Sequence, residues 1–388
     1  MPELSKEAPP GSLDSESNRT KPPRLMSLDA LRGFDMFWIL GGEKLFAALF
    51  ALTAWSGWMA ADAQMKHTQW HGFTFYDLIF PLFIFLSGVA LGLSPKRLDH
   101  LPMSQRMPKY RHAVKRLLLL LAFGVLYNHG WGTGIPADPE SVRYASVLGR
   151  IAFAWFFAAI IVWHTSLRTQ IIIALGILLG YAAMHLWLPL PGVPAGSLGA
   201  DVSINAWVDQ HLLPGISYQN RPVDPEGILS TLPAIVNALA GVFTGHLIVS
   251  PRSGWQKAGI MAGAGALSLL LGWGTDIVLP VNKELWTSSF VLVTVGWSLL
   301  LLSLFYVLVD LLQFRRLAMP FVVIGCNAII IYLASSLVNW DYVSLSVFGG
   351  IVSTVTPSWQ PLLAVIAFLA VQWALLVWMY RRNIFIKV

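Results

Sequence analysis

Apolar residues in this chain gather into long continuous blocks, and about twenty such residues suffice to cross a bilayer. Ten blocks stand out, at roughly 33–53, 73–93, 115–129, 145–163, 169–188, 228–249, 257–278, 286–310, 319–338 and 361–380. Only helices or closed barrels satisfy the backbone in lipid, and runs of this length and continuity predict helices. The expected fold is all-α: a polytopic membrane protein of about ten transmembrane helices in a single domain, 25–388. Ahead of it, MPELSKEAPPGSLDSESNRTKPPR (1–24) is polar and rich in Pro and Ser, and predicts a disordered tail. The first block carries Asp35, Glu43 and Lys44 and exceeds a signal-peptide core, so it predicts a retained span. The longest connection, 189–227, is rich in Pro and Gly.

Composition agrees: 56% of the residues are hydrophobic and 12% charged, against about 25% charged in soluble domains. The net charge of +6 could point to nucleic acid until the basic residues are placed. With ten spans and a cytoplasmic N-terminus, all of the 26 Lys and Arg fall on the inner side except Lys44, Lys66, Arg143, Arg150, Arg221 and Lys283. That asymmetry is the positive-inside signal; it puts both termini in the cytoplasm and 189–227 outside. It also accounts for the charge without nucleic acid. The single cysteine, Cys326, excludes a disulfide framework and a Cys-based metal site, and no metal is expected.

Ionisable residues inside spans are expensive and mark functional sites by default. Asp77 falls four residues into a span descending from outside, a depth of roughly 6 Å. Glu43 lies in the outer half of the first span, Arg150 about six residues into another, and Asp276 near an outer end, so several helices bring polar groups to one level. In HTQWHGFTFYDLIFPLFIFLSG (His67 to Gly88), a histidine-bearing approach meets this level. Histidine can take and return a proton, or accept an acyl group, near neutral pH. His67 and Asp77 would lie about 80° apart on one continuous helix, so contact between them requires a turn at Gly72. Pro81 withholds the N–H that would bond the Asp77 carbonyl, which predicts a kink. Against these readings stand plainer ones: Asp77 and Arg150 as a structural ion pair, Trp70 as an interfacial anchor, and the basic run from Pro95 to Arg116 as a topology determinant.

Together with RLMSLDALRGFDMFWILGG (Arg24 to Gly42), the His67 stretch resembles the transmembrane acyltransferase family typified by heparan-alpha-glucosaminide N-acetyltransferase. RYASVLGRIA, DPEGILSTLPAIVNALAGVFTG and PVNKELWTSSFVL extend the resemblance, with IGCNAIIIY a weaker match. The resemblance implies an acetyltransferase that takes acetyl-CoA from the cytosol and delivers the acetyl group to an amino sugar or glycan beyond the membrane. In the family pattern the catalytic histidine falls on His67, with Trp70, Gly72, Asp77, Leu78, Phe80 and Pro81 completing it. Glu43 stands where relatives often have an assisting asparagine, and Gly149 where a glutamine is usual. The implied roles are His67 as general base or acyl acceptor, Asp77 as its orienting partner, Glu43 as an assistant, and Arg150, Asn327, Trp70 and His71 as substrate-binding residues. The small residues of GVFTGHL and GAGAL would let helices approach closely. Expected partners are acetyl-CoA, the amino sugar or glycan, and membrane lipids, with a homo-oligomer left open. The short tail fits a bacterial cytoplasmic membrane better than a lysosome. A secondary transporter of a small sugar-like or anionic solute is the rival reading, since converging charges would also line a transport path.

Overall fold

The computed structural model describes residues 25–94, 97–130, 132 and 138–386, so the expected tail 1–24 lies outside the described residues. The chain is all-α. Its helices are α1 (Met26–Phe37), α2 (Lys44–Thr53), α3 (Ser56–Gln64), α4 (Phe75–Gly92), α5 (Met103–His129), α6 (Val147–His164), α7 (Leu167–Trp187), α8 (Ile204–Leu212), α9 (Thr231–Val249), α10 (Gly254–Thr275), α11 (Ser288–Phe305), α12 (Arg315–Cys326), α13 (Ala328–Leu337), α14 (Trp340–Thr354) and α15 (Gln360–Arg381). Extended pairing among the described residues is limited to isolated bridges in the polar connections, such as Arg143 with Gly215.

Among the described residues, seven helices are long and apolar enough to cross a membrane, or up to nine segments if each of two bent pairs is one span. This is the architecture of a multi-pass membrane protein. The difference from ten falls on α5, which is helical but carries Arg106, Lys109, Arg111, Lys115 and Arg116, leaving only its second half apolar. The first and ninth expected spans are broken, α1 with α2 by 57° and α12 with α13 by 62°. The first break centres on Gly41, whose φ of +115° suits glycine alone. The second falls at Asn327, which leaves the helical region at φ −127°, ψ 32°. Residues 340–354, assigned to no span by their sequence, form α14 and pack on α15.

Two helix pairs form the tightest contacts. α4 and α9 meet through glycines: a Cβ on Gly88 would lie 1.9 Å from the Ala238 carbonyl oxygen, and one on Gly241 2.0 Å from that of Phe85. Backbones this close explain the small residues of GVFTGHL. α1 and α12 repeat the device with Gly33 against Phe321 and Gly325 against Asp29. Gly265 of the GAGAL stretch likewise approaches Gly296 of α11, whereas Gly263 faces open space. Around these pairs Leu31, Phe85, Leu239, Trp286 and Phe290 are fully buried.

Candidate active site

The approach to α4 folds back at Gly72, whose φ of +113° makes the turn and whose N–H donates to the Val281 carbonyl at 2.8 Å. The turn brings His67 Nδ1 to 2.7 Å from Asp77 Oδ1, although ten residues separate them. Asp77 is the third residue of α4, and its fully buried carboxylate accepts from Thr74 N at 3.1 Å and Thr74 Oγ1 at 3.0 Å. Thr68 adds longer contacts from its N and Oγ1, both 3.4 Å. α4 runs through Pro81 without a break in the helix.

An ionised carboxylate can only accept, so the 2.7 Å contact places the ring proton of His67 on Nδ1. Nε2 keeps its lone pair, and the imidazole packs on Tyr76 at 4.9 Å between ring centroids. The His67 side chain is 51% exposed, whereas its carboxylate partner is fully covered. A nucleophilic or basic nitrogen is thus presented on a side chain oriented from behind.

The sequence reading missed Lys283. Its Nζ lies 2.9 Å from His67 Nδ1, 3.2 Å from Nε2 and 3.4 Å from Asp77 Oδ1. Nδ1, donating to Asp77, cannot also accept, and near-equal distances to the two ring nitrogens put the ammonium beside the ring face, within reach of both and of Asp77 Oδ1. Burial lowers the Lys283 ammonium from its ordinary range, while Asp77, Glu226 and Glu284 counter that effect. The loop bearing it is fastened by Asn282, whose side chain donates to the Trp70 carbonyl at 2.9 Å and accepts from Leu285 N at 2.8 Å. Behind this, Tyr181 Oη donates to the Leu285 carbonyl at 2.7 Å. In the sequence Lys283 stood out as a cation on the cation-poor side of the chain, inside the PVNKELWTSSFVL stretch, but nothing there linked it to His67.

His67, Tyr76, Glu226 and Lys283 form one end of a cavity of about 1020 Å³. Its wall follows α4 through Tyr76, Ile79, Phe83, Ser87 and Ala90, one helical face, and reaches Ser94 just past the end of the helix. Eighteen residues of rise make that face about 27 Å long. Asp29, Arg32, Arg116, Val249 and Ile386 line the far end. Arg116 rests on Trp155, its Cζ 4.1 Å from the ring centroid, and its buried Nε has no hydrogen-bond partner among the described residues. The cavity thus joins a guanidinium-bearing end to an imidazole-bearing end across the thickness of the helix bundle.

The other expected site residues lie elsewhere. Arg150 is buried away from this cavity; it forms no ion pair with Asp77 among the described residues, but donates to Ser230 Oγ and the Gly227 carbonyl. Its guanidinium packs over Trp286 at 4.6 Å, so aromatic faces and neutral acceptors replace the anion expected from sequence. Asn327 is also outside the cavity lining: it donates to the Ile384 carbonyl and accepts from Ile386 N, fastening the C-terminal segment at the α12–α13 break. Glu43 follows the Gly41 break with its Oε2 buried and unpartnered among the described residues, and it makes no hydrogen bond to His67 there. Trp70 donates through Nε1 to the Leu198 carbonyl at 2.8 Å, tying the site to the 189–227 connection. His71 contacts Asn282 at 3.3 Å, and burial lowers its basicity against the opposing charge of Asp276.

No model of a known protein family matches the chain. It is 25% identical over 376 residues to heparan-alpha-glucosaminide N-acetyltransferase of Mus musculus, covering 82% of this chain and 54% of that protein. With the Homo sapiens protein of the same name it is 26% identical over 374 residues, covering 80% and 52%. The chain therefore spans about half the length of the curated relatives it matches. Through about four fifths of its length this chain resembles the heparan-alpha-glucosaminide N-acetyltransferases.

Proposed function

We propose that the protein is a transmembrane acetyltransferase that draws acetyl-CoA into the Arg116 end of the cavity and passes the acetyl group to an amine at the His67 end. The observation that carries this reading is the continuous cavity along one face of α4, with cationic groups at one end and the His67–Asp77 pair at the other. Arg116 suits the phosphates of the donor, because guanidinium groups bind phosphate oxygens in paired hydrogen bonds; Arg32 beside it is paired with Asp29 at 3.2 Å. The thioester then reaches His67 while the charged nucleotide stays behind. The positive-inside distribution orients the Arg116 end to the cytosol and the His67 end to the outside. An amino sugar is the acceptor class, as the relatives' names indicate for those proteins.

His67 Nε2 acts either on the acceptor, by taking the proton of the attacking amine, or on the thioester, by accepting the acetyl group. Positive charge develops on the ring in both cases, and Asp77 at 2.7 Å stabilises it. Radiolabelled acetyl-CoA supplied to the Arg116 side of oriented vesicles should label glucosamine on the other side. His67→Ala should abolish that labelling. Labelling that survives His67→Ala removes the histidine from the reaction, and movement of unmodified glucosamine by both proteins supports a transporter.

A further inference from the structure

We propose that Lys283 is the electrophilic group of the site, its ammonium receiving the carbonyl oxygen of the acyl group as that oxygen becomes an oxyanion. The proposal rests on the acetyl-transfer reading above. Nζ stands 3.2 Å from Nε2, the atom at which the reaction occurs, so a carbonyl carbon against Nε2 has its oxygen within reach of the ammonium. Preorganised donors at such a point stabilise the transition state more than the ground state.

Lys283 has no sufficient structural explanation as a partner for Asp77. That carboxylate already accepts from His67, Thr68 and Thr74, and Lys283 contacts it only at 3.4 Å. The neighbouring acids are engaged elsewhere: Glu226 pairs with Arg143, and Glu284 with Arg221. Each acid near Lys283 among the described residues is thus already engaged, while His67 is faced by Asp77, Lys283 and the Tyr76 ring. The ammonium lines the cavity with its side chain 15% exposed, so it can turn from the ring to a substrate oxygen without crossing solvent.

In direct transfer, the amine nitrogen adds to the carbonyl carbon and the π pair of the C=O bond moves to oxygen, where a Lys283 N–H bonds it. His67 Nε2 takes the amine proton. Collapse restores C=O and breaks C–S; the electron pair leaves on sulfur, and the thiolate takes the proton from His67. If Nε2 adds first, C–S breaks to give acetylimidazolium, its Nδ1–H still bonded to Asp77, and thiolate. The amine then adds, the C–Nε2 bond breaks, and the amine proton neutralises the thiolate. The oxyanion occupies the same place on each route, and Lys283 keeps its proton throughout.

The test compares wild type, His67→Ala, Lys283→Met and Lys283→Arg in proteoliposomes with acetyl-CoA and glucosamine. Lys283→Met should lower kcat about 10²- to 10³-fold, the effect of removing one oxyanion donor, with KM for acetyl-CoA little changed. Lys283→Arg should recover part of kcat. A Lys283→Met protein with wild-type kcat overturns the proposal while leaving acetyl transfer intact. Should that variant fail to fold, wild-type kcat in Lys283→Met assayed in unextracted membranes, or a kcat in Lys283→Arg no better than in His67→Ala, overturns it. A wild type that acetylates nothing, over a verified acetyl-CoA range, removes the reading and the proposal together.

Discussion

Replacing Asp77 by Asn isolates what the buried carboxylate does for the imidazole. Asn keeps the size and can still accept from Thr74 N, but it removes the negative charge 2.7 Å from Nδ1. At an effective dielectric of 20 the attraction between a carboxylate and an imidazolium at that separation is about 6 kcal/mol. His67 is 51% exposed, and water screening reduces this to roughly 3 kcal/mol. One factor of ten in rate corresponds to about 1.4 kcal/mol, so kcat should fall by about 10². The assay is acetyl transfer to glucosamine, normalised to folded protein. A decrease of less than threefold would show that the charge of Asp77 is not coupled to the reaction.

Four further outcomes follow from the same geometry. Arg116→Glu should raise KM for acetyl-CoA at least tenfold with kcat nearly unchanged, and should leave a short acetyl thioester without phosphates unaffected; equal effects on both donors would remove the phosphate role. Gly88→Ala forces a Cβ to within 1.9 Å of the Ala238 carbonyl oxygen and should destabilise by about 1–3 kcal/mol through overpacking, whereas Gly259→Ala, facing open space, should not; detergent melting temperatures compare them. Asn282→Ala removes two hydrogen bonds at the base of the Lys283 loop; a loss of about 2 kcal/mol in stability and a fall in kcat are expected, and unchanged values in both would remove its fastening role. Burial pushes Asp209 up to about 6, against the lowering effect of backbone N–H groups from Asp224 and Ile228, with Asp224 raising it and Arg150 lowering it further. Folding therefore favours the protonated acid: this stabilisation is complete below pH about 4, is lost as pH rises through 6, and should appear as a melting-temperature slope that Asp209→Ala flattens.

The helical spans were legible because a backbone in lipid leaves few alternatives, and the contact between His67 and Asp77 was legible because Gly72 lies between them. The breaks at Gly41 and Asn327 were not, since a continuous apolar run gives no sign of where its helix bends. α14 escaped because fifteen residues fall short of an ordinary span. Arg150 looked like a counterion because a buried cation calls for an anion, yet indole, hydroxyl and carbonyl groups surround it instead. Lys283 lies 216 residues from His67 in the chain, and one sequence offers no rule for joining positions so far apart.

The face of α4 from Tyr76 to Ala90 works as a ruler. Each added residue turns a helix by about 100°. A single insertion between Pro81 and Gly88 would therefore swing the second half of the wall away, present Leu86 or Val89 where Ser87 and Ala90 now stand, and unseat Gly88 from Ala238.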